Sequence, residues 1–174
     1  MANLSYEIGR ISGILEGFAG INNKTNHGFT FEIELLDPKI ATEESVTNYL
    51  TKFYPDSTLS FTPISEWRTV LSSYIEKWLF CYQPHNDAHG NVIAGECGSY
   101  YSYLKDVDRS FSLFIPDSRR QFIDDLCDAL NRCLVITRAI DVHLVTDAWY
   151  EGDWNDIALE GENARVFIHL GVSD

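Results

Sequence analysis

Between positions 66 and 82 the chain carries apolar side chains at Trp67, Val70, Leu71, Tyr74, Ile75, Trp78, Leu79 and Tyr82. Steps of three and four residues repeat one face of an α-helix, and the spacing predicts a helix over 66–82 capped by Ser65. A stripe this broad and aromatic normally belongs to a central core helix, so the rest of the chain has to supply the surfaces that bury it. Three further stripes predict helices. The first, over 3–19, carries Leu4, Ile8, Ile11, Leu15 and Phe18. The second, over 43–53 after Thr42, has Val46, Tyr49, Leu50 and Phe53 as its buried stripe. The third, over 119–133 after Ser118, turns Phe122, Ile123, Leu126 and Leu130 inward.

Alternation with period two marks the strands. Over 29–36, Phe29, Phe31, Ile33 and Leu35 alternate with Thr30, Glu32 and Glu34. Shorter runs predict strands at 58–62, 100–104, 110–115, 139–145, 156–160 and 165–172, with 161–163 as a hairpin turn between the last two. No repeat, low-complexity tract or linker divides the sequence. The expectation is a single α+β domain over 1–174, with about four helices packed on a mostly antiparallel sheet of five to seven strands. Gly9, Gly13 and Gly17 lie four apart in the first helix, where each costs about 1 kcal/mol relative to alanine. That spacing predicts a second backbone approaching closely.

The charge excludes some partners. With 13 basic and 26 acidic residues among 174, the net charge is −13. A chain that displaces counterions from a nucleic-acid backbone needs Lys and Arg, so direct nucleic-acid binding is excluded, as is docking on an anionic membrane surface. No apolar run reaches the length of a membrane span. The start, M-A-N-L-S-Y-E, lacks the basic and apolar blocks of a signal peptide. Four cysteines without a C-x-x-C pair do not make a disulfide framework. A cytoplasmic protein with reduced thiols is expected.

The stretch 147–156, D-A-W-Y-E-G-D-W-N-D, concentrates what remains. It sets Trp149, Tyr150 and Trp154 among Asp147, Glu151, Asp153 and Asp156, with Gly152 as a hinge. From Ala139 to Ala164 there are seven acids and no Lys or Arg. Aromatic anchors inside a one-sign field suit the capture of a basic protein. Asp37, Glu43, Glu44, Asp124 and Asp125 would extend that field if the fold gathered them. The leading expectation is therefore a small non-enzymatic inhibitor of a basic partner, with no cofactor. It would be of the kind formed by immunity proteins against nuclease-type toxins, or by phage inhibitors of nucleic-acid-binding defence proteins. The aromatic content favours the immunity type.

Other chemistry is weaker. His85, Asp87 and His89 offer imidazole and carboxylate donors on alternate positions, with Glu96 and Cys97 nearby, and would define a metal-dependent hydrolase as the main alternative. His143 and His169 lie in strand-like runs, V-H-L and I-H-L. Two-histidine phosphoesterases place a Thr or Ser two residues after each histidine; Val145 and Gly171 stand there instead, which excludes that class. Among the cysteines, Cys127 and Cys133 sit in an apolar helix and Cys97 beside an acid that blunts it as a nucleophile. An assembly subunit contacting through Gly9, Gly13 and Gly17 is the third reading.

Overall fold

The broad aromatic stripe forms α3, Trp67–Phe80, and buries Leu71, Ile75, Trp78, Leu79 and Phe80. In the computed structural model, residues 4–23, 27–80, 85–86, 92–93 and 116–173 are described. The other helices are α1 (Leu4–Asn22), α2 (Thr42–Leu50) and α4 (Pro116–Leu134). The main sheet contains β1 (Gly28–Leu35), β2 (Thr58–Ile64), β5 (Ile136–Val145), β6 (Asp153–Gly161) and β7 (Arg165–Ser173) in the order β1-β7-β6-β5-β2. Every neighbouring pair is antiparallel. A two-residue pair, β3 (His85–Asn86) with β4 (Val92–Ile93), is separate. The chain is an α+β protein, as the patterning predicts. The predicted strands at 100–104 and 110–115 lie outside the described residues.

Strand alternation sorts the sheet residues into two layers. Phe31, Ile33, Ala139, Ile157, Leu159, Val166, Ile168 and Leu170 pack against α1, α3 and α4. Ile140, Val142, Leu144, Ala158 and Phe167 face the other way, where α2 covers them with Val46 and Leu50. Burial of each large aliphatic side chain contributes roughly 1.5–3 kcal/mol, so the three-helix layer is the main source of stability.

The helix starts differ from the sequence reading. α2 is capped at Ala41 without a side-chain bond; the Thr42 hydroxyl instead donates to Glu160 across the fold. α4 opens at Pro116, whose fixed φ and missing N–H suit a first turn, leaving Ser118 inside the helix. α2 also ends earlier than its stripe suggests. Backbone bonds from Phe53 and Tyr54 to the Leu50 carbonyl close a turn, so Phe53 leaves the buried face and is 63% exposed.

Within the described part of the chain, the glycine face of α1 is left open. Ile8, Ile11, Leu15 and Phe18 are buried, while Gly9, Gly13 and Gly17 lie on an exposed face. A Cβ added at any of the three meets nothing within 4 Å. No backbone approaches them among the described residues. Gly13→Ala is therefore expected to raise the unfolding free energy by about 0.5–1 kcal/mol in a urea titration, through helix propensity alone.

The end of α4 is fastened to the β6–β7 hairpin. Its last carbonyls are met by turn donors: Asn163 Nδ2 bonds Cys133 O at 3.2 Å, Asn163 N bonds Leu134 O at 3.1 Å and Glu162 N bonds Val135 O at 3.2 Å. Gly161 is needed here, since a Cβ would lie 2.1 Å from the Leu134 carbonyl oxygen. Val135 takes a left-handed φ of 54° to turn the chain into β5, a conformation rarely adopted by a β-branched residue.

Candidate functional site

The acid–aromatic stretch spans the β5–β6 connection and the first turns of β6. The structure divides its residues into an outward and an inward set. Asp147, Trp149 and Asp153 are exposed, Trp149 at 67%. Trp154 is half-buried, edge-on to Tyr150 at 5.2 Å and stacked beside His143 at 6.1 Å. Tyr150 and Glu151 fold back toward the sheet, and Asp156 is only 1% exposed.

The inward set surrounds His169. Counted outward from the Glu160–Arg165 pair, the hairpin register sets Asp156 directly opposite His169, and Glu32 faces His169 from the other side. These three side chains lie in one row on the α2 side of the sheet. His169 Nδ1 is 2.6 Å from Asp156 Oδ1 and 3.0 Å from the Tyr150 hydroxyl. That hydroxyl donates to Asp156 Oδ2 at 2.7 Å. On the far side of the ring, Nε2 lies 3.5 Å from Glu151 Oε1. Gly171 leaves room for the arrangement: a Cβ there would be 2.7 Å from His169 Nε2 and 2.9 Å from Glu151 Cγ.

Burial alone would lower the His169 pKa, but Asp156 and then Glu151 outweigh it and raise the imidazole to about 9. At neutral pH the ring is therefore a cation held between two carboxylates. Burial, followed by the Asp156 charge, pushes the Tyr150 phenol far up, so it remains a hydrogen donor. Glu151 Oε2 is buried with no hydrogen-bond partner. Both ring nitrogens of His169 face carboxylates and the residue is 5% exposed, so no reacting atom reaches it. The arrangement is a fastening. It ties the returning end of the loop to β7, aided by Gly152 N, which bonds Val172 O at 2.8 Å. Gly152, expected as a hinge, is thus an anchored position. At the loop's start the Ala148 amide donates to Thr146 Oγ1.

Most acids of the wider run from Ala139 to Ala164 are locally engaged. Asp141 accepts from Tyr74, Asp153 pairs with Lys77 at 2.8 Å, and Glu160 pairs with Arg165 and Arg138. The Thr42 hydroxyl and then Arg165 hold the Glu160 carboxyl below its ordinary range. The more distant acids do not extend the field. Glu43 is bound by Arg138 near the hairpin end of the sheet, remote from the loop, and its hydrogen bond to Arg138 lowers its carboxyl. Asp37 and Glu44 lie at that end with it, beside or within the start of α2. Asp124 and Asp128 bracket Arg68 between α3 and α4. Only Asp147 and Trp149 combine exposure with a position at the loop's tip.

Of the alternative metal set, His85 falls in the backbone of β3, while Asp87, His89, Glu96 and Cys97 lie outside the described residues. Among the described residues no group of three or more His, Cys, Asp or Glu side chains could hold a metal ion; around His169 the carboxylates approach opposite ring nitrogens and share no common point. Cys127 and Cys133 are buried free thiols, and burial raises both. No described helix is long and apolar enough to cross a membrane. Comparison of the chain with protein-family models, curated proteins and solved structures gives no match.

Proposed function

We propose that the chain is a non-enzymatic cytoplasmic binding protein that neutralises a basic protein partner, as an immunity protein neutralises a nuclease-type toxin. One observation carries this reading: Trp149 presents its indole at 67% exposure on a loop whose base is fastened from within by Tyr150, Glu151 and Asp156. A tryptophan has few side-chain rotamers to lose on docking, and a loop fastened at its base adds little backbone entropy cost, which suits Trp149 as a binding anchor. Asp147 beside it and the net charge of −13 favour encounter with a cation-rich surface. Asp153, shared with Lys77, and the half-buried Trp154 form the rim. Tyr150, Glu151 and Asp156 contribute by holding the loop.

The test compares wild type with Trp149→Ala against the basic protein that the wild type retains from a cell extract. The variant is expected to bind about 2 kcal/mol or more weakly, with an unchanged unfolding midpoint, and the wild-type complex is expected to weaken steeply with salt. Equal affinity of the two proteins would remove the anchor and with it this reading.

A further inference from the structure

Phe53 and Trp149 are exposed at 63% and 67%, and the residues beside them in the chain meet through ring contacts. Phe53 packs edge-on to Tyr49 at 5.7 Å. Tyr54, the next residue, meets Tyr150 at 4.9 Å, and Tyr150 is the chain neighbour of Trp149. Tyr49, Tyr54 and Tyr150 pack against the same apolar cluster under α2, so two ring pairs line the surface between the end of α2 and the β5–β6 loop, with Phe53 at one end and Trp149 adjoining Tyr150 in sequence at the other. β1 supplies carboxylates beside this surface: Glu32 and Glu34 are exposed and share the α2 side of the sheet with His169 and Phe167.

The phenols register those charges. Tyr49 is pushed up to about 12 by burial and then by Glu32 and Glu34, and Tyr54 is raised by burial, Glu151 and Glu32. The groups facing these rings are thus Glu32 and Glu34 from β1, Glu151 from the loop, and Asp156 from β6. Lys52 adjoins Phe53 in sequence, and the His169 cation is buried between its two carboxylates. Among the described residues no Lys or Arg pairs with Glu32 or Glu34. An aromatic surface edged by unpaired acids fits the planar guanidinium group, which stacks on rings and bonds carboxylates through a fixed fork of donors.

We propose that the docking surface continues from Trp149 across Tyr54 to Phe53 and Glu32/Glu34, and that its occupant is an arginine-rich segment of the partner protein. This rests on the reading above and adds a second anchor and a partner chemistry to it. The guanidinium groups stack on the exposed rings and pair with Glu32 and Glu34.

The test is a nitrogen-15 NMR titration of the full chain with a peptide alternating Arg and Leu, and a peptide alternating Glu and Leu as the charge control. Saturable shifts are expected at Glu32, Glu34, Phe53, Tyr54 and the Trp149 indole with the arginine peptide alone. The Glu32→Gln/Glu34→Gln variant, altered only at exposed positions, is expected to bind about tenfold more weakly, and Phe53→Ser likewise. Shifts at Trp149 without Glu32, Glu34 and Phe53 would overturn the extension and leave the single anchor standing. Shifts confined to Asp124, Asp125 and Asp128 on α4, or none, would overturn both. Undiminished affinity in the two variants would overturn the extension by itself.

Discussion

Replacing His169 with alanine is expected to lower the unfolding free energy by about 3–5 kcal/mol, the usual cost of removing one partner from a buried ionic group. The magnitude follows from what is left behind. Asp156, 1% exposed, would keep only the Tyr150 hydroxyl. Glu151 would lose the partner of Oε1 while Oε2 already has none. A carboxylate stranded in that setting has neither water nor a counter-ion. Domains of this size are stable by about 5–15 kcal/mol, so the loss would be a large share of the total. Urea unfolding measures it directly. Tyr150→Phe, which removes a single donor, is expected to cost about 1–2 kcal/mol. A His169→Ala loss below that of Tyr150→Phe would show that the cluster does not hold the fold as described.

Alkaline pH is expected to destabilise the protein through the same ring. The His169 imidazole is raised from 6.5 to about 9 in the folded state. A group with a raised folded pKa contributes stability that is complete below its unfolded value and is lost as pH climbs through the folded one. The window therefore opens near pH 6.5 and closes just above pH 9, with an amplitude of about 3 kcal/mol. Tyr49 and Tyr74, both pushed up to about 12 chiefly by burial, add a loss of the same sign only above pH 10. Denaturation midpoints between pH 6 and about 8.5 should fall for wild type and stay level for His169→Gln; above that the buried Cys127 and Cys133 thiols, raised by burial, add a loss of the same sign in both proteins. A flat wild-type profile would mean that the ring is neutral at pH 7.

Local periodicity made the architecture legible. The stripe through Leu71, Ile75 and Trp78 and the alternation of Phe29, Phe31 and Ile33 each report one face of one element, which is all that a helix or a strand needs to declare itself. The loop was harder to read, because exposure in 147–156 depends on what lies across from each residue. Composition treats Asp147 and Asp156 alike, and likewise His143 and His169. Yet Asp156 faces His169 across a hairpin, while His143 lies on the exposed surface of β5. Counting outward from the 161–163 turn gives that pairing, provided the turn is placed correctly. Phe53 departs from its helical stripe for a related reason: the stripe extrapolates past Leu50, where a turn moves Tyr54 into cover instead.

The fastening between α4 and the 161–163 turn acts as a register lock for the whole hairpin. Successive strand residues point to opposite faces, so a slip of one position would transfer His169 and its charge into the apolar layer beneath the three helices. The donors of Glu162 and Asn163, committed to carbonyls at the helix end, leave no slack for such a slip. Charge placement at one end of the molecule is thereby decided at the other, by contacts that never touch a charged group.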